Sequence, residues 1–168
     1  MTPEQLLNCT RVVFLDFDGV LNSDEYSPPG DDGFAGISSY HVKYLTEILD
    51  QTGACVVLTT SWRNDHNKAN PYEYAVQALI NVGLQPGLVR GMTPVLPPMK
   101  MTDYTLRGRE IAQWLKDNPN ITHYVILDDT FEFTKEQAEH LVQPELWEGL
   151  RKKHVKQAVD ILLDKAYN

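Results

Sequence analysis

Residues 11–19 read Arg-Val-Val-Phe-Leu-Asp-Phe-Asp-Gly, an apolar run that ends in two acidic residues and a glycine. An apolar run of this length predicts a strand buried on both faces, and Asp18-Gly19 predicts the turn that ends it. Two other runs share this design: Ala54 to Thr60, which ends in two threonines, and His123 to Leu127, which an acidic pair follows. The sequence therefore predicts three buried strands with polar residues at their carboxyl ends.

Helical patterns alternate with these strands. The expected elements are a helix from His41 to Gln51 capped by Ser38 or Ser39, a helix from Pro71 to about Val82, a short strand from Leu88 to Val95, a helix from Arg107 to Asp117 and a last helix from about Leu150 to Ala166. Such alternation predicts an α/β fold, a three-layer α/β/α Rossmann-like arrangement with a mainly parallel sheet. A chain of 168 residues is expected to form one domain, 1–168, with the polar loop 22–38 as a candidate flap.

Ligands of parallel sheets bind at the carboxyl ends of the strands, so the residues there are the candidates for chemistry. These are the carboxylates of Asp16, Asp18, Asp128 and Asp129 and the hydroxyls of Thr59 and Thr60. Carboxylates held close together repel one another, and a Mg²⁺ ion with its preference for oxygen ligands relieves that repulsion. Each signal alone is typical of a turn, a strand end or a helix cap. Their joint occurrence favours metal-assisted phosphoryl transfer.

Three of these segments resemble motifs of the haloacid dehalogenase (HAD) superfamily. Phe14-Leu-Asp-Phe-Asp-Gly-Val-Leu is similar to its first motif, Val56-Val-Leu-Thr to its second and Val125-Ile-Leu-Asp-Asp to its fourth. The third motif is a single Lys or Arg. Arg107 is our choice for it, with Arg109 and Lys100 as alternatives. From Arg11 to Leu163 the chain also resembles the small HAD domains associated with RNA-repair proteins.

The resemblance implies a role for each site residue. Asp16 would be the nucleophile that forms an aspartyl phosphate, and Asp18 would be the general acid and base. The phosphoryl group would be bound by Arg107 and by Thr59. Thr60 would take the place of Thr59 if the motif is shifted by one residue. Mg²⁺ would be held by Asp16, the backbone carbonyl of Asp18, Asp128 and Asp129. Arg63 is a further phosphate-contact candidate, with a salt bridge as the equally weighted alternative.

The size of the segments between motifs bears on the substrate. The residues between Asp18 and Thr59 hold a loop and one helix, and those between Thr59 and Arg107 hold little more, so neither segment can form the cap domain of many superfamily members. An open site would admit large substrates. We expect a phosphorylated substrate, such as a polynucleotide end or a nucleotide. The alternatives are a small metabolite or phosphoprotein as substrate, and a non-catalytic binding domain of the same fold.

The net charge and the cysteine count bear on which partners the protein binds and in which cellular compartment it is expected. The formal net charge is −8, which argues against a tight, sequence-independent grip on a nucleic-acid duplex. We expect no membrane span and no secretory signal, and the sequence implies no stable protein partner. The two cysteines, Cys9 and Cys55, are expected to be reduced in a cytoplasmic protein. The five histidines are scattered without the spacing of a zinc site.

Overall fold

The computed structural model describes residues 8–25, 36–99 and 103–164. Within these ranges a five-stranded sheet has the order β3-β2-β1-β4-β5, and every neighbouring pair of strands is parallel. The strands are β1 (Arg11–Leu15), β2 (Cys55–Leu58), β3 (Val89–Met92), β4 (His123–Leu127) and β5 (Leu141–Val142). The predicted α/β class with a mainly parallel sheet is confirmed.

Four α-helices accompany the strands: α1 (Ser39–Thr52), α2 (Pro71–Asn81), α3 (Leu106–Asp117) and α4 (Lys152–Leu162). Short 3₁₀ helices occupy Ser61–Asn64 and Ala138–His140. Ser38 caps α1, since its side chain accepts a hydrogen bond from the backbone N–H of Tyr40. Helix α4 begins two residues later than predicted because Arg151 has an extended backbone.

Strand β1 lies at the centre of the sheet and separates two apolar layers. Val13 and Leu15 belong to the core that the sheet shares with α1, α2 and α4, whereas Val12 and Phe14 pack on the opposite side with α3. Phe14 contacts Trp114 of α3 edge to face, with ring centroids 5.5 Å apart. All four strand residues are fully buried, which explains why β1 is an unbroken apolar run rather than an alternating one.

Two strands differ from their prediction. Strand β3 spans four residues rather than the eight from Leu88 to Val95, because β2, its neighbour in the sheet, ends at Leu58, which pairs with Met92. Strand β5 was not predicted at all. It consists of two residues at the edge of the sheet, and a pair of apolar residues is too short to stand out as a pattern.

The described residues between the strands form loops and single helices and hold no cap domain. Part of the expected flap, residues 26–35, lies outside the described residues. Among the helices of the described ranges, none is both long and apolar enough to cross a membrane.

The expectation of two reduced cysteines is wrong for this structure. Cys9 and Cys55 form a disulfide with a Cα–Cα distance of 6.5 Å. The cause is the sheet register: Cys55 pairs with Val12, so the segment that leads into β1 passes beside the start of β2. The cytoplasmic location stays a prediction.

The disulfide gives a testable stability difference. It closes a loop across 46 positions of sequence, and Cys9→Ser is expected to lower the free energy of unfolding by about 2 to 4 kcal/mol because the unfolded chain gains entropy. Denaturant titration of the oxidised wild type, the reduced wild type and the variant measures this, with the last two expected to agree. Two reactive thiols in wild type denatured without reductant would contradict the pairing.

Candidate active site

The sheet register brings three strand ends together. Leu15 of β1 pairs with Leu58 of β2 on one side and with Leu127 of β4 on the other. The residues that follow continue this pairing, since the backbone N–H of Asp16 donates to Leu127 O at 3.0 Å and that of Thr59 donates to Leu15 O at 2.9 Å. The structure therefore places Asp16, Thr59 and Asp128 side by side at the carboxyl edge of the sheet.

Three of the four predicted metal carboxylates form one group. Asp16, Asp128 and Asp129 each present a carboxylate oxygen within 4.8 Å of the others. Asp16 and Asp128 are buried, and Asp129 is half-buried. The side chain of Asp18 is not in this group, so only its backbone carbonyl remains a candidate ligand. Three oxygen donors from carboxylates are the donor set that Mg²⁺ prefers.

Arg107 lies between two of these carboxylates. Its Nη1 atom is 2.5 Å from Asp16 Oδ2 and 2.6 Å from Asp128 Oδ2. Burial alone would lower the pKa of Arg107, but the two carboxylates outweigh it and raise that pKa. The guanidinium is therefore held in its charged form at the centre of the acidic group.

The alternatives for the third motif lie elsewhere. Arg109 donates to Asp103 Oδ2 at 2.5 Å and to Pro97 O at 2.9 Å, so its guanidinium serves the loop before α3. Lys100 lies outside the described residues. Among the described alternatives, Arg107 is the one that the structure brings to Asp16.

One guanidinium does not balance three carboxylates. Burial raises the pKa of Asp16 to about 6, the Arg107 charge opposes the rise and the Asp128 charge adds to it. Burial and then the Asp128 charge also raise the pKa of Asp129. A divalent cation at this position would stabilise the ionised forms of these carboxylates, so the residues present fit a Mg²⁺ site.

The two threonines at the end of β2 have different surroundings. The Thr60 hydroxyl accepts a hydrogen bond from the backbone N–H of Trp62 and so caps the following 3₁₀ helix. The Thr59 hydroxyl is buried and has no hydrogen-bond partner among the described residues. A buried hydroxyl without a partner is costly, and a phosphoryl oxygen would satisfy it. The geometry thus favours Thr59 over Thr60 as the phosphate contact.

Arg63 is a structural residue rather than an exposed phosphate contact. Its guanidinium is buried, donates to Glu110 Oε2 at 2.6 Å and to Thr60 O at 2.7 Å, and also donates to Thr59 O. Glu110 in turn accepts from Leu96 N at 3.0 Å. Of the two alternatives for Arg63, the structure shows the salt bridge. The pair ties the turn after β2 to α3, the helix that carries Arg107.

Asp18 is held by two side chains that the sequence analysis did not assign to the site. Trp62 Nε1 donates to Asp18 Oδ2 at 3.1 Å, and Asn22 Nδ2 donates to Asp18 Oδ1 at 2.8 Å. Asn22 Oδ1 also accepts from the backbone N–H of Gly19 at 2.9 Å, which fixes the amide of Asn22. No sequence signal distinguishes these contacts, because Asn after a turn and Trp after a strand are common features of loops and cores.

Gly19 permits the close approach of two loops. Its φ angle is +73°, and a Cβ atom at this position would lie 2.5 Å from Asp129 Oδ2. Only glycine combines this backbone conformation with the space that the Asp129 side chain occupies. The turn after β1 thereby helps to define where Asp129 stands in the acidic group.

The family comparison matches residues 12–155 with the family described as the HAD domain in Swiss Army Knife RNA repair proteins. No curated protein matches the chain by sequence.

Similar solved structures include a hypothetical protein from Xanthomonas campestris, 12% identical, covering 97% of this chain and 87% of the other with a TM-score of 0.47. A putative HAD superfamily (subfamily III A) hydrolase from Legionella pneumophila is 14% identical, with coverages of 96% and 85% and a TM-score of 0.45. A putative 3-deoxy-D-manno-octulosonate 8-phosphate phosphatase from Vibrio cholerae is 16% identical, with coverages of 98% and 90% and a TM-score of 0.40. At these scores the structural likenesses are weak.

The family match covers most of the 168 residues, and it spans the strand ends that meet around Asp16. The chain therefore belongs to the HAD superfamily, in the family of HAD domains of Swiss Army Knife RNA repair proteins.

Proposed function

We propose that the protein is a Mg²⁺-dependent phosphatase that hydrolyses a phosphate monoester through an aspartyl phosphate on Asp16. The observation that carries this proposal is the convergence of Asp16, the charged Arg107 and the unpartnered Thr59 hydroxyl at one edge of the sheet. A nucleophile, a cation and a free donor are the groups that phosphoryl transfer requires.

In the first step, the Asp16 carboxylate attacks phosphorus and the bond between phosphorus and the ester oxygen breaks. Asp18 gives a proton to the departing oxygen. The Thr59 hydroxyl donates to one phosphoryl oxygen. Arg107, which then exchanges part of its contact with Asp16 for the phosphoryl group, stabilises the charge on the others.

In the second step, a water molecule attacks phosphorus and its proton goes to the carboxylate of Asp18. The bond between phosphorus and Asp16 breaks, which releases inorganic phosphate and restores both aspartates. Mg²⁺, held by Asp16, Asp128 and Asp129, would neutralise charge on the phosphoryl oxygens in both steps. General acid–base catalysis of this kind contributes about 10² to 10⁴ in rate.

For the substrate, we propose a phosphorylated nucleic-acid end or a nucleotide. The family description names RNA repair proteins, and the described residues hold no cap that would exclude a polymer. The net charge of −8 favours contact with a terminal phosphate over a long interface with the backbone. A panel of 3′- and 5′-phosphorylated oligonucleotides, nucleotides, sugar phosphates and a phosphopeptide separates this substrate from a small metabolite or phosphoprotein.

The mechanism predicts that hydrolysis of nitrophenyl phosphate requires Mg²⁺ and is lost on chelation. Asp16→Asn is expected to lower kcat by about 10³-fold or more, because the amide cannot form the covalent intermediate. Asp164→Asn is the matched control, since it removes an exposed carboxylate that is not part of the acidic group. Turnover that survives in Asp16→Asn would contradict the proposed function.

The Mg²⁺ site predicts a specific effect of Gly19→Ala. The added methyl group displaces Asp129, so the variant is expected to bind Mg²⁺ at least about 10-fold more weakly in calorimetry.

Gly53→Ala is the matched control for this experiment. Gly53 has a similar φ angle of +65°, but a Cβ atom there would meet nothing within 4 Å. The two variants share the backbone strain and differ in the clash with Asp129. An equal loss of Mg²⁺ affinity in both, or none in either, would show that Asp129 is not a ligand.

A further inference from the structure

Trp62 lies directly after β2 and reaches across to the turn that follows β1. The cap formed by Thr60 fixes the start of the 3₁₀ helix Ser61–Asn64, and this short helix carries the indole ring toward Asp18. The indole Nε1 atom is 3.1 Å from Asp18 Oδ2. The segment that follows β2 thus carries both the Thr59 hydroxyl and the N–H group that contacts the Asp18 carboxyl.

Packing holds the indole ring in this orientation. Its centroid is 5.4 Å from that of Phe17, edge to face, and 6.0 Å from that of Tyr74, with the Trp62 and Tyr74 rings nearly parallel. Phe17 is fully buried, and in the chain it lies between Asp16 and Asp18. The loop that carries both aspartates therefore also packs against the indole ring of Trp62. The N–H direction is therefore set before any substrate binds.

The two carboxyl oxygens of Asp18 have one donor each, Trp62 Nε1 for Oδ2 and Asn22 Nδ2 for Oδ1. Both donors are uncharged N–H groups. Both contacts use acceptor lone pairs of the Asp18 carboxyl, and neither donor brings a formal charge to the site. A lysine or arginine at the same place would instead add a charge to the site.

We propose that Trp62 is a positioning residue for Asp18. The indole N–H holds the Asp18 carboxyl apart from the group of Asp16, Asp128 and Asp129, in the orientation from which it protonates the departing ester oxygen. Trp62 itself keeps its proton and acts on the reaction only through Asp18. This inference rests on the proposed function, because it concerns the proton that leaves Asp18 as the phosphorus–oxygen bond breaks.

The substitution Trp62→Phe keeps an aromatic ring between Phe17 and Tyr74 and removes the N–H. Alkyl phosphates need a proton on the departing oxygen, whereas nitrophenyl phosphate releases a stable anion and needs it much less. In Trp62→Phe, kcat/KM is expected to fall for both kinds of ester, and the loss for alkyl phosphates is expected to exceed that for nitrophenyl phosphate by a factor of about 10 or more. A loss that is the same for all esters, or no loss, would overturn the proposal.

Trp114→Phe is the control for the loss of an indole ring. Trp114 packs on Phe14 on the opposite face of the sheet, so this variant is expected to change all esters by the same factor. A fall that depends on the leaving group in both variants would show a general effect of destabilisation and would also overturn the proposal.

A second readout does not depend on turnover. The chain has three tryptophans, so the ¹H–¹⁵N spectrum holds three indole signals, and Trp62→Phe identifies the one from Trp62. Asp18→Asn is expected to shift that signal, and Asp164→Asn is expected to leave it in place. A Trp62 signal that Asp18→Asn does not move would overturn this inference, whereas turnover that survives in Asp16→Asn overturns the proposed function instead.

Discussion

The parallel register of β1 with β2 and β4 is the constraint on which the rest of the site depends. It places Asp16 and Asp128 next to each other in a buried position, where two carboxylates would repel strongly without compensation. Arg107 supplies one positive charge, but burial, together with the charge of Asp128, still raises the pKa of Asp16 to about 6. The excess of negative charge at this edge of the sheet would favour a divalent cation there, as the proposed mechanism requires.

Other contacts hold the segments around these strand ends in place. The buried pair of Arg63 and Glu110 connects the turn after β2 to α3, so the helix that carries Arg107 is fixed relative to Thr59. A buried ion pair adds little net stability, but the loss of one partner is costly because it leaves the other charge buried and unpaired. Gly19 and Asn22 shape the turn after β1 in the same way, since one admits Asp129 and the other holds Asp18.

The sequence predicts the parts of this arrangement that follow from strand ends. Buried parallel strands have a clear pattern and their carboxyl ends lie at one edge of the sheet, so the sequence predicts Asp16, Thr59 or Thr60, and Asp128 at that edge. That β1 lies between β2 and β4, which makes these residues neighbours, is known only from the structure. Contacts that depend on side-chain direction could not be predicted. Glu110 points inward from a helix face shared with Ile111, and Trp62 faces Asp18 across 44 positions of sequence. The bond between Cys9 and Cys55 likewise depends on the register of β1 and β2, which composition does not reveal.

An aspartyl phosphate on Asp16 can be detected by trapping the intermediate during turnover. The protein would be mixed with Mg²⁺ and a phosphate ester during turnover, quenched in acid and reduced with borohydride, which converts an acyl phosphate to an alcohol. Peptide mass spectrometry then locates the modified residue. If Asp16 carries the phosphoryl group, Asp16 is expected to be converted to homoserine and Asp18 to stay unmodified. Turnover with no modified aspartate, or with the modification at another aspartate, would contradict it.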